Sequence, residues 1–294
     1  MRKTFFLVDG HSLLYRAFYA LPTMTTTSGE HTNAVYGFIS MLLRLLQEQD
    51  PDCLVVAFDK KGPTLRHEQF PDYKANRAET PDELISQVER VKELVDAFGW
   101  HQVEIDGYEA DDIIGTLCER AQKAGYEVYI VTGDNDCLQL VDDHVRVLFT
   151  RRGITNVDDM DEGAVKERLG VSPRQVPDYK GLVGDQSDNI PGVPGIGPKT
   201  AVKLLEEYAT VEEIVANVDE LSGKLAERIK EHGEQALLSK KLATICRDAP
   251  VGVEPGRCQL AAPDGKRLRE LFAQLEFRTL WRRVEERYGF SDVS

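Results

Sequence analysis

Nine carboxylates in this 294-residue chain stand where side chains can meet. Three apolar runs, TFFLVDG (4–10), DCLVVAFDK (52–60) and YEVYIVTGDND (126–136), each end abruptly in aspartate, which puts Asp9, Asp59, Asp134 and Asp136 at strand ends. A helix opening at GYEADD adds Glu109, Asp111 and Asp112, with Glu109 and Asp112 on one face at i and i+3. The loop GDQSDN contributes Asp185 and Asp188. Ligands of an open parallel sheet bind beyond the carboxyl ends of its strands, so the strand-end acids converge on one crevice. Carboxylates a few ångströms apart resist joint ionisation unless cations lie among them, and an all-oxygen donor set suits hard divalent ions such as Mg²⁺ or Mn²⁺. Taken singly, a strand-end Asp is more often a turn former or helix cap, and acids at a helix start complement the macrodipole. Capping alone does not gather nine from three strand ends, one helix start and one loop.

Two further segments suit phosphate. KKGPTLRHEQFPDYKANR (60–77) carries Lys60, Lys61, Arg66, Lys74 and Arg77 against Glu68 and Asp72, with Phe70 and Tyr73 interleaved. Bases among aromatics fit backbone contact plus base stacking on single-stranded nucleic acid, and equally a solvated loop balancing an acidic body. The run Gly192-Val193-Pro194-Gly195-Ile196-Gly197-Pro198-Lys199-Thr200 imitates a phosphate-binding loop, but a Walker A motif needs Gly directly before Lys, and Pro198 stands there. Its spacing resembles the hairpin of a helix-hairpin-helix element. There, glycines permit close backbone approach, and N–H groups at the next helix start hold DNA phosphates without reading sequence.

Positioning these groups requires strands alternating with helices. The three Asp-ended runs, with VRVLFT (145–150) and HQVEID (101–106), read as strands of a mostly parallel sheet. HSLLYRAFYAL, NAVYGFISMLLRLLQEQ, TPDELISQVERVKELVDAFG and GYEADDIIGTLCERAQKAG read as the helices between, giving an α/β fold. Strand patterns vanish after about residue 170. A domain junction is expected near 165–177, separating an α/β domain (1–170) from a helical domain (171–294) that ends in KRLRELFAQLEFRTLWRRVEERYG with an apolar stripe at Leu271, Phe272 and Leu275.

Composition bounds the rest. With 41% hydrophobic and 29% charged residues the chain can bury a core, which excludes disorder and fibrous repeats. The formal charge is −14, but setting the nine clustered carboxylates aside leaves −5, so acidity is a poor argument against a nucleic-acid substrate. Five cysteines (Cys53, Cys118, Cys137, Cys246, Cys258), none in a C-x-x-C pair, indicate neither a zinc site nor a disulfide framework and suit a reducing cytoplasm. The N-terminal apolar run is cut by Asp9, too short for a signal peptide, and no stretch approaches a membrane span.

The motifs LVDGHSLLYRAFYA, VVAFD, FPDYKANR, GYEADD, VTGDND and GLVGDQSDNIPGVPGIGPKTA, in this order, with LEFRTL near the end, resemble the 5′ nuclease domain at the N-terminus of bacterial DNA polymerase I, within the flap endonuclease superfamily. The resemblance covers nearly the whole chain. It implies a PIN-like α/β nuclease domain and a helix-three-turn-helix subdomain. It also implies one metal among Asp9, Asp59 and Glu109, a second among Asp134, Asp136 and Asp185, Asp111 between them, and Asp112 and Asp188 as outer ligands through water. The basic segment (about 60–85) would form a helical arch, with Lys74 and Arg77 on the scissile phosphate, Tyr73 near the unpaired 5′ strand, and Arg66 and Arg16 on DNA. Gly192, Gly195, Gly197, Lys199 and Thr200 would hold duplex, with K⁺ at the hairpin carbonyls. The implied activity is two-metal hydrolysis of DNA phosphodiesters, 5′ to 3′ and at 5′ flaps, in RNA primer removal, Okazaki fragment processing and repair. The protein would act as a monomer in the bacterial cytoplasm at the nucleoid, on flapped, nicked, gapped or RNA-primed DNA, with a DNA polymerase in cis or in trans.

Three rivals are weighed. A non-catalytic structure-specific DNA-binding protein would keep hairpin and arch, but all nine acids are present. A haloacid dehalogenase-type phosphotransferase needs D-x-D after the first strand, where this chain has Asp9-Gly10-His11. A PIN-like ribonuclease should lack the glycine hairpin.

Overall fold

A computed structural model describes residues 2–150 and 156–290. Among them, β1 (Thr4–Asp9), β2 (Cys53–Ala57), β3 (His101–Val103), β4 (Glu127–Thr132), β5 (Val145–Thr150) and β6 (Val157–Met160) form one sheet in the order β3-β2-β1-β4-β5-β6. The first five run parallel and β6 runs antiparallel to β5. The chain leaves β1 on one side to reach β2 and β3, and returns on the other to β4 and β5. The topological switch point therefore lies between β1 and β4, where a ligand crevice is expected.

The period of two along β1 sorts its side chains between two cores. Phe6 and Val8 face α1 (Gly10–Ala20), α2 (Asn33–Gln49) and α4 (Asp82–Ala97). Phe5 and Leu7 face α5 (Ala110–Lys123), while α3 (Leu65–Gln69) is a short turn within the basic segment. Beyond the sheet come α6 (Glu162–Leu169), α7 (Val176–Val183), α8 (Pro198–Glu207), α9 (Val211–Ala216), α10 (Gly223–Ala243), α11 (Gly265–Gln274) and α12 (Arg278–Tyr288). Helix α2 starts without a side-chain cap of its own. The fully buried Gln87 of α4 supplies one, its Oε1 accepting from the N–H groups of Ala34 (2.7 Å) and Val35 (3.2 Å). Those donors would otherwise be orphaned, each at a cost of about 1–3 kcal/mol.

Three sequence expectations change. Strand β6 was not anticipated: VDDM is acidic and half exposed, and it forms by pairing with β5. The basic segment, expected to form a helical arch, holds one short helix, α3, before α4 begins at Asp82. After α3, residues 71–76 run as successive turns, helped by Pro71 and by Lys74 in the left-handed region (φ 58°). KRLRELFAQLEFRTLWRRVEERYG breaks into α11 and α12 at Glu276 (φ 59°), which lets Phe277 fold back against Phe272. Across the expected junction near residue 170 the apolar packing is continuous. One apolar cluster joins Phe5, Ile113 and Ile130 to Val176, Leu204 and Ile245, and α11 and α12 return to the opposite face, where Phe272 meets Phe98.

Candidate active site

The crevice at the switch point is built on strand ends and helix starts. Asp9 ends β1 and caps α1, its Oδ1 accepting from Ser12 N (3.0 Å) and its Oδ2 from the Thr132 hydroxyl (2.8 Å). Asp59, two residues past β2, accepts from Ala110 N at the start of α5 (2.8 Å), while its own N–H donates to His11 Nδ1 (3.0 Å). Glu109 caps α5 in a reciprocal box with Asp112, whose Oδ2 accepts the Glu109 N–H (3.1 Å). Past β4, Asp136 N donates to Asp134 Oδ1 (3.0 Å). Tight local bonds thus hold each carboxylate's backbone.

Mutual repulsion marks one part of this cluster. Burial, reinforced by Asp59 and Asp134, raises the Asp9 carboxyl to about 7. Burial, reinforced by Asp134, raises Asp136 likewise to about 7. Asp111 is pushed well above the usual carboxylate range by burial and then by Asp134, Asp9 and Asp136, and it accepts a weak bond from the Cys137 thiol (3.4 Å). Among the described residues no three His, Cys, Asp or Glu side chains are drawn into a ready-made metal cage.

The other acids carry built-in counter-ions. Arg66 grips Asp112 with two parallel bonds (2.7 and 2.8 Å) and donates to the carbonyls of Leu242 (2.8 Å) and Thr244 (3.0 Å). Although burial would raise Asp112, this guanidinium holds it below the ordinary range. Asp188 opposes burial in the same way through Lys74 and Arg77, with Arg77 Nη2 at 2.6 Å. Lys74 Nζ donates to Glu109 Oε1 (2.7 Å), and the buried Tyr73 hydroxyl lies 3.1 Å from Glu109 Oε2 and 3.0 Å from Asp188 Oδ2. Lys180 of α7 bridges Asp136 and Asp185 (2.6 Å to the latter), holding Asp185 low against burial.

The structure therefore gathers the nine expected acids, but not as equals. Asp112 is a structural joint with no oxygen left over: both take two N–H donors, from Arg66, Glu109 and Cys246. Half-buried Arg66 and buried Tyr73 turn their polar atoms onto buried carboxylates. Lys74 and Arg77 do stand at the crevice, and Arg16 packs its guanidinium where a Cβ on Gly133 would sit, at the end of β4. The sequence reading missed Lys180, His11 and Thr132. A lysine in the mostly apolar VPDYKGLV, two residues after Asp178 and five before Asp185, was the available signal for the first.

The glycine hairpin follows α7 directly. Gly192 (φ 62°) is irreplaceable, since a Cβ would land on the backbone of Val183 and Gly184. Gly195 (φ 79°), Gly197 and Lys199 are exposed and Thr200 is half-buried. Helix α8 begins at Pro198, which has no N–H, with Gly197 as a cap that offers no side chain; Gly197 O accepts from Thr200 N and Ala201 N (3.0 Å each), which leaves the Lys199 N–H at the exposed start.

Comparison with known proteins now has a geometry to meet. The chain is 48% identical over 97% of its length to DNA polymerase I of Bacillus caldotenax and 47% identical over 97% to that of Bacillus subtilis, spanning about a third of each (33% and 32%). Among solved structures it is similar in fold to bacteriophage T5 5′-exonuclease with bound zinc (TM-score 0.67, 22% identity, 96% of this chain and 99% of that one). It is also similar to a T5 flap endonuclease in a pseudo-enzyme–product complex with DNA and metal ions (0.70, 20%, 96% and 98%), and to the catalytic core of Rad2 with DNA (0.61, 16%, 97% and 91%). Residues 4–170 match the 5′-3′ exonuclease N-terminal resolvase-like domain and residues 171–266 the 5′-3′ exonuclease C-terminal SAM fold; the chain belongs to the 5′-3′ exonuclease family.

Proposed function

We propose that this nuclease is a divalent-metal-dependent, structure-specific 5′ nuclease that cuts branched DNA near the junction of single and double strand, leaving a 5′ phosphate and a 3′ hydroxyl. The observation that carries the reading is the set of mutually repelling carboxylates, Asp9, Asp111, Asp134 and Asp136, at the switch point beside Lys74 and Arg77. Oxygen-only donors of high negative charge suit Mg²⁺ or Mn²⁺, and Mg²⁺ keeps several waters, so a cage of protein ligands alone is not required. Asp9, Asp59 and Glu109 would hold one ion, Asp134, Asp136 and Asp185 another, with Asp111 between. Such ions, when bound, supply an activated water and stabilise the leaving oxygen.

The chain's own groups do the rest. Lys74 and Arg77 exchange Glu109 and Asp188 for the scissile phosphate and neutralise charge on its non-bridging oxygens. The Lys199 N–H at the start of α8 and the Lys199 side chain hold duplex phosphate away from the cut. The carbonyls of Gly192 and Gly195 already accept from Gln235 and Arg228, so the reading does not depend on K⁺ at the hairpin. Primer removal, Okazaki fragment processing and repair in the bacterial cytoplasm, with a polymerase in cis or in trans, fit this activity and the polymerase relatives. The test is a labelled 5′-flap duplex incubated with Mg²⁺ and with chelator. Cleavage at the junction only with metal supports the reading; full activity in chelator, or none on flap, gap or nick with either metal, overturns it.

A further inference from the structure

One face of α10 supports the glycine hairpin. Arg228, Gln235 and Ser239 are spaced by seven and four residues, which aligns them on a helix. Ser239 Oγ accepts from Gly192 N (3.1 Å), Gln235 Nε2 donates to Gly192 O, and Arg228 Nη1 donates to Gly195 O (2.7 Å). The Arg228 guanidinium occupies the place that a Cβ on Gly195 would take, 2.5 Å from Cζ, so this glycine admits the arginine as well as the turn. Among the described residues Arg228 and Lys199 make no ion pair with a carboxylate. One of the five N–H groups of Arg228 is committed to the carbonyl. The remainder sit at an exposed turn next to the uncapped start of α8.

We propose that Arg228 is a duplex-phosphate ligand of the hairpin, latched by the Gly195 carbonyl so that its charge is fixed beside Lys199 at the start of α8. A guanidinium fork matches phosphate, and the latch removes rotamer freedom before DNA arrives. This assignment rests on the hairpin being the duplex-binding element of the nuclease proposed above.

The experiment measures binding of a fluorescein-labelled duplex in chelator across a KCl series, for the wild type, Arg228→Gln, Arg228→Lys and Lys199→Ala. The amide of Arg228→Gln retains a donor for the Gly195 carbonyl but carries no charge. It should weaken binding several-fold and lower the slope of log K against log salt by about one unit, whereas Arg228→Lys keeps the slope. A wild-type slope and affinity in Arg228→Gln would overturn the proposal. If Lys199→Ala is also unchanged while the wild type cleaves flaps with Mg²⁺, the hairpin is not the duplex site and this inference falls without the nuclease reading. If no flap is cleaved but Arg228→Gln loses the slope, the nuclease reading fails and this one stands.

Discussion

On the β1–β4 side of the crevice, Asp9, Asp111, Asp134 and Asp136 press their charges together and Lys180 pairs with Asp136, whereas on the side of the basic segment Asp112, Glu109 and Asp188 each have a basic partner. Arg66 serves Asp112, Lys74 serves Glu109, and Arg77 serves Asp188. The boundary runs between neighbours: Asp111 and Asp112 are consecutive on α5, one raised and one lowered. An acid's place in a motif therefore does not fix its job. Where the fold fills both oxygens, as Arg66, Glu109 and Cys246 do at Asp112, the carboxylate ties segments together; where neighbouring acids press on it, as at Asp111, the charge is left for something from outside.

The largest effect that would break this contrast is catalytic. Asp134→Asn should lower single-turnover flap cleavage roughly a thousandfold, the scale of losing metal-borne charge stabilisation, while duplex affinity persists. Retained cleavage with lost binding would make the unpaired acids structural. Next in size is Asp112→Asn, which leaves Arg66 buried with its partner weakened and should cost about 3–5 kcal/mol in urea unfolding. The adjacent Asp111→Asn removes a repelled charge, so in chelator its urea midpoint should rise; a fall would erase the distinction between the two residues. A pH series sharpens it further. The folded Asp9 and Asp136 carboxyls titrate at about 7 against an ordinary 3.8, so the folded chain binds more protons than the unfolded one between those values. Metal-free stability should then decline as pH rises from about 4 to about 7, and Asp9→Asn should flatten that decline. The smallest effect lies outside the crevice: Lys199→Ala should weaken duplex binding a few-fold and reduce the salt slope by about one unit. An unchanged slope with a collapsed saturating rate would move Lys199 into the crevice.

The strand-end acids were legible because burial on both faces makes the runs before Asp9, Asp59 and Asp134 continuously apolar, and each stops at its aspartate. Their sorting was not, since the deciding partners come from far along the chain: Arg66 from the basic segment, Lys180 from α7, and the carbonyls of Leu242 and Thr244 from the end of α10. For the same reason FPDYKANR read as part of a DNA-contacting arch, although Tyr73 is buried on Glu109 and Asp188. The hairpin glycines were readable because Gly192 and Gly195 answer to local backbone geometry. The α10 face behind them was not, because Arg228, Gln235 and Ser239 look like ordinary polar positions of an amphipathic helix.

The uninterrupted core beneath residues 165–177 has one more consequence. Helix α7 carries Lys180 into the crevice and leads the chain toward the hairpin within the same packed body, so hairpin and crevice are held in one frame. On the proposed reading the enzyme works as a ruler. The bond that breaks is chosen by its distance from where the double helix is clamped, without any base being read.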